Sequence, residues 1–71
     1  MSAHQDAKVH AMPGVRYRHV KTGGFYEVLD LATIEATMEL AVVYKSTENG
    51  RRWVRPYDEF CDGRFAFADA R

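Results

Sequence analysis

From Val15 onward the chain is dominated by β-branched and aromatic residues, interrupted by turn-forming residues at intervals of roughly 8 to 12 positions, the pattern of a small all-β domain. VRYRHV, Val15 to Val20, reads as a first strand, and KTGG, Lys21 to Gly24, as a glycine-permitted turn into a longer strand from Phe25 to about Thr33. The second strand does not alternate cleanly. Odd positions give Phe25, Glu27, Leu29 and Leu31, and even positions give Tyr26, Val28, Asp30 and Ala32. A bulge near Asp30, or burial of both faces, accounts for the mixture and suits a tightly curved sheet.

Ile34 to Leu40 contains good helix formers at helix-compatible spacings, but the apolar, β-branched run from Leu40 to Lys45 follows at once, so a turn is expected there. Asn49 and Gly50 signal a hairpin from about Met38 to Arg55, because both tolerate the positive φ of a type I′ turn. A loop of Asn49 and Gly50 alone sets Tyr44 opposite Arg55, whereas a loop of Thr47 to Gly50 sets it opposite Trp53. Both registers put Leu40, Val42, Tyr44, Trp53 and Arg55 on one face, and Ala41, Val43, Lys45, Arg52 and Val54 on the other.

Pro56 lacks a donor, so Pro56 to Phe60 is expected to be a tight helical turn in which Tyr57 and Phe60 cap one end of the core. RFAFA then places Phe65 and Phe67 on one face of a short last strand. Residues 1–13 read as a flexible N-terminal arm ended by Met12, Pro13 and Gly14, and residues 14–71 as one domain. Five short strands with a single-turn helix before the last define a mainly β fold, a small SH3-like barrel.

The same residues carry a family resemblance. YRH at Tyr17 to His19, Lys21, FYEV at Phe25 to Val28, EL at Glu39 and Leu40, VVY at Val42 to Tyr44, and WVRP at Trp53 to Pro56 followed by Phe60 resemble the small bacterial proteins of domain-of-unknown-function family 1653. The resemblance runs from about Gly14 to Phe67. It implies a compact, mostly β, stand-alone bacterial protein, and it transfers no catalytic residue.

Composition narrows the function classes. With 71 residues the chain is one domain near the lower size limit for a self-sufficient core, and 46% apolar with 28% charged residues is ordinary globular composition. Ten basic and ten acidic side chains cancel, which argues against a dedicated duplex-DNA binder and leaves room for a local basic patch. The single cysteine, Cys61, excludes an intrachain disulfide and reads as a small packed hydrophobe. No segment approaches the length of about 20 apolar residues that spans a bilayer, so a cytoplasmic protein without membrane contact is expected.

Catalytic chemistry finds little support. His4 and His10 lack ligand partners at zinc-site spacing, and no metal or other cofactor is expected. His19, beside Arg18 and Lys21, reads as a neutral structural or surface histidine. Glu27, Asp30, Glu35, Asp58 and Glu59 show no paired arrangement for acid–base work, and no nucleophile has an evident base, so a non-enzymatic protein is expected. The informative constellation is aromatic and basic: Tyr17, Tyr26, Tyr44, Trp53 and Tyr57 interleaved with Arg16, Arg18, Lys21, Arg51, Arg52 and Arg55. Trp53 and Tyr44 are either core fillers or contact residues, with packing favoured for Trp53. The leading expectation is a binding module for single-stranded nucleic acid or an extended peptide, using Tyr44, Trp53 and Arg55 with help from Arg18 and Lys21. The competing one is a structural role through homo-oligomer formation or docking to a larger protein.

Overall fold

The structure, a computed structural model, describes residues 9–68. It contains β1 (Arg16–His19), β2 (Phe25–Ile34), β3 (Glu39–Ser46), β4 (Arg52–Pro56), a single helical turn α1 (Tyr57–Phe60) and β5 (Phe65–Phe67). The strands form one antiparallel sheet in the order β4-β3-β2-β1-β5. The fold is mainly β with the strand order of an SH3-like barrel, as the sequence predicts. Among the described residues no backbone ladder joins β4 to β5, so the barrel is left open along that seam.

Three turns built to one plan connect the first four strands: Val20 to Gly23, Glu35 to Met38, and Thr47 to Gly50. In each, the fourth residue takes a positive φ, 80° at Gly23, 64° at Met38 and 74° at Gly50. Its N–H donates to the carbonyl just before the turn, at 2.7 Å from Gly23 to His19, 2.6 Å from Met38 to Ile34 and 2.9 Å from Gly50 to Ser46. The third residue accepts the N–H two positions on: Thr22 from Gly24 at 3.4 Å, Thr37 from Glu39 at 3.2 Å, Asn49 from Arg51 at 2.8 Å. These short polar side chains satisfy backbone donors that the strands leave unpaired.

The turn expected over Ile34 to Leu40 is therefore present, and the hairpin signalled by Asn49 and Gly50 is too. Its loop has four residues, not two. Only Gly50 of that pair has positive φ, so the turn is not type I′, which needs it at both centres. The register sets Tyr44 opposite Trp53 and Val42 opposite Arg55.

In β2 the pairing with β3 shifts by one residue between Val28 and Asp30, leaving Leu29 as the extra residue of a bulge. The bulge resolves the mixed pattern of that strand. Tyr26 and Val28 point into the barrel before it, and Leu31 packs against the core after it. On the outer face, Arg16, Glu27, Lys45 and Arg52 stand opposite one another across four strands, with Glu27 between the cations Arg16 and Lys45, and the like charges of Lys45 and Arg52 side by side.

The core is an aromatic cluster. Phe60 and Phe65 stack with centroids 4.1 Å apart, and Tyr17 and Tyr44 meet Phe60 edge-on at 5.2 and 5.1 Å. Pro56 is tolerated in β4 because that strand is a sheet edge, and its φ of −54° starts α1, which delivers Phe60 to the core with Tyr57 packed beside it. Phe67 stacks on Tyr17 at 5.3 Å, so both phenylalanines of β5 share the inner face.

The segment read as an arm through Pro13 lies, for residues 1–8, outside the described residues. From Val9 onward it is not loose, which shortens that arm. Val9 and Ala11 are buried in the core cluster, and the buried Tyr17 hydroxyl donates to the His10 carbonyl at 2.5 Å while accepting the Met12 N–H at 2.9 Å. Burial raises the Tyr17 pKa above its ordinary value.

Candidate functional site

Inward-facing residues of all five strands meet around a cleft of about 220 Å³, lined by His19, Thr22, Tyr26, Tyr44, Trp53, Arg55 and Phe65. Its floor is where the aromatic core surfaces. Tyr26 packs edge-on against Tyr44 at 5.6 Å and Phe65 at 5.8 Å, and Tyr44 lies 5.6 Å from Phe65.

Trp53 and Tyr44 differ in depth although they are cross-strand partners. Tyr44, on the doubly paired β3, is 4% exposed, whereas Trp53, on the edge strand β4, is 42% exposed. The indole forms the rim of the cleft rather than its core, contrary to the preference for packing, and the Arg51 guanidinium sits 5.4 Å from its ring centroid.

Arg55 spans the open seam. Its guanidinium carbon lies 5.9 Å from the Phe65 centroid, and its Nε donates to the Tyr44 hydroxyl at 3.3 Å, an interaction that favours the charged form further. A single ion pair, to Glu59 at 3.6 Å, joins it to α1. Glu59 is about half exposed there, so the pair is weak and leaves the guanidinium open to a ligand. Among the described residues no carboxylate lines the cleft.

His19 forms the opposite wall, edge-on to Phe65 at 5.0 Å. Its Nδ1 accepts the Thr22 N–H at 3.3 Å and has the Thr22 hydroxyl at 3.1 Å. A nitrogen that accepts an N–H carries no hydrogen, so the imidazole is the Nε2–H tautomer. Burial first, then the positive charges of Arg55, Arg64 and Lys21, lower its pKa below the ordinary 6.5 and keep it neutral.

Of the residues expected to form a site, the cleft gathers Tyr44, Trp53 and Arg55. Arg18 lies on the outer face, opposite Phe25 and Ala66, because β1 alternates and Tyr17 and His19 take the inner positions. Lys21 sits exposed in the first turn, near enough to affect His19 but outside the lining. Sequence reasoning assigns no ligand role to His19, Thr22 and Phe65, and names Tyr26 only within the wider aromatic and basic set. The inward parity of Tyr17 with His19 and of Tyr26 with Val28 marks two of them; Thr22 and Phe65 are brought in by the curl of the sheet.

Among the described residues no group of three or more histidine, cysteine, aspartate or glutamate side chains is placed to hold a metal ion, and no helix is long and apolar enough to cross a membrane. Fold and cleft together define a small SH3-like β domain with an aromatic, singly cationic cleft. The chain belongs to the family described as protein of unknown function, DUF1653, which matches residues 15–64. No curated protein and no solved structure matches it significantly.

Proposed function

We propose that this protein is a non-enzymatic binding module that holds a single-stranded nucleic acid along β4 and the cleft beside it. The observation that carries this reading is the stripe on the cleft side of β4. Trp53 and Arg55 on β4 line the cleft, and Arg51, the residue before β4, continues the alternation with its guanidinium against the Trp53 ring, so successive side chains are about 6.5 Å apart. Guanidinium, indole, guanidinium is the order that meets phosphate, base, phosphate in an extended strand. A neutral peptide has no use for the two flanking charges.

The net charge of zero supplies no broad attractive field, so affinity rests on these few contacts. Titrating Trp53 fluorescence with oligonucleotides of about eight nucleotides, within the range of sites on small barrels, tests this. Two phosphate contacts give a slope of log K against log salt near −1.4, at about −0.7 per contact on single strands, and Arg51→Ala halves it. Trp53→Ala, followed by anisotropy of a labelled oligonucleotide, weakens binding about 10- to 100-fold. An indole indifferent to every oligonucleotide at low salt overturns the reading.

One observation favours a second reading, assembly with another copy or a larger protein. Among the described residues β4 and β5 are the edges of the sheet, and Val54 on β4 is exposed. That reading predicts concentration-dependent sedimentation with no salt-dependent oligonucleotide affinity.

A further inference from the structure

Resting on that reading, we infer that the cleft accepts one base from the strand and selects thymine or uracil through a lining richer in hydrogen-bond donors than in acceptors. Thr22 holds His19 Nδ1, which leaves Nε2–H as the free donor of a ring that lines the cleft. The Tyr44 hydroxyl oxygen accepts from Arg55 Nε, and among the described residues its own hydrogen has no protein acceptor. Arg55 adds guanidinium N–H groups and accepts nothing. Thr22 Oγ1 is engaged with the Gly24 N–H and with His19, which leaves the Tyr26 hydroxyl, a group that both donates and accepts, as the acceptor of the lining.

A base entering this cleft lies against Tyr26, Tyr44 and Phe65 and turns its edge toward those donors. Thymine and uracil present two carbonyl oxygens about a single N–H; each oxygen meets a donor, and the Tyr26 hydroxyl is the acceptor open to the N–H between them. Cytosine and adenine carry an exocyclic amino group, whose hydrogens would face Nε2–H, Tyr44 O–H or the guanidinium. Guanine offers O6 and N7 but brings an amino group as well. A donor buried against a donor is left unsatisfied, which is the origin of discrimination in a site of fixed polarity. The neutral state of His19 fits this assignment, since the tautomer is set by Thr22 and not by the ligand.

The experiment compares homopolymers of deoxythymidine and deoxycytidine, two pyrimidines, by Trp53 fluorescence at one low salt concentration. Expected is a preference for the thymidine oligomer of about tenfold, the effect of one or two satisfied hydrogen bonds. Tyr44→Phe keeps the ring and removes the hydroxyl, and His19→Phe removes the imidazole donor. Each shrinks the ratio several-fold while the salt slope stays unchanged, because the phosphate contacts are untouched. His19→Gln, which restores an N–H donor, recovers the preference. Equal affinities for the two homopolymers overturn base selection and leave the nucleic-acid reading standing. A preference that survives both Tyr44→Phe and His19→Phe overturns the assignment of these donors. No response to either homopolymer overturns both.

Discussion

His19 shows how one residue's chemistry is set by its neighbours. Its pKa is lowered in the folded protein, so between that lowered value and the ordinary 6.5 the unfolded chain binds a proton that the native protein does not. Stability therefore rises with pH across that window, and acidification from above 6.5 weakens the fold. Urea midpoints measured on both sides of the window should drop as the pH is lowered in the natural protein and drop less in His19→Gln. Tyr17 makes a different case. Its hydroxyl ties down the His10 carbonyl and the Met12 N–H, and Tyr17→Phe leaves both without that partner at a cost of about 1–2 kcal/mol in denaturant unfolding. The role of Tyr17 was legible as an aromatic on an inward position; its second task, fastening a segment several residues upstream, has no periodic signal. Trp53 and Tyr44 mark the same limit. Strand parity places both on the inner face, but depth depends on whether a strand is paired on one side or two.

Among elements, the turns were readable in proportion to their glycine. Gly23 and Gly50 announce their turns because a residue without Cβ adopts positive φ freely. The middle turn follows the same plan with Met38 in that position, 75% exposed, which is why helix formers around it make the segment ambiguous. A bulky residue there carries backbone strain that a glycine would relieve, offset in part by the greater entropy of glycine in the unfolded chain. Met38→Gly should raise unfolding stability by up to about 1 kcal/mol, whereas Gly50→Ala, which meets open space but keeps the positive φ, should lower it by about 1 kcal/mol. Thermal or denaturant unfolding of the two variants checks both signs. The bulge at Leu29 was foreseeable from broken alternation in β2. The length of the third turn was not, since both loop lengths preserve the same parity.

At the scale of the molecule, the strand order followed from the number and spacing of strands, and the cleft did not. Tyr44, Trp53 and Arg55 share a hairpin, so local register groups them. His19, Tyr26 and Phe65 come from strands whose ends converge only when the sheet curls, and no pattern within one segment encodes that convergence. The pairing of β5 with β1, which sets Phe67 opposite Tyr17 and Phe65 opposite His19, also governs how the chain reaches its native state. The other strand pairs are hairpins closed by four-residue turns and form locally. Only β5 must find a partner from the far end of the domain, at a loop-closure entropy that no neighbouring contact has yet offset. Stopped-flow refolding should thus be slowed by Phe67→Ala nearly in proportion to the stability lost. Gly50→Ala should act mainly on unfolding. The cleft wall formed by Phe65 comes into being in that same last step, so the protein acquires its ligand site and its cooperative fold at one moment.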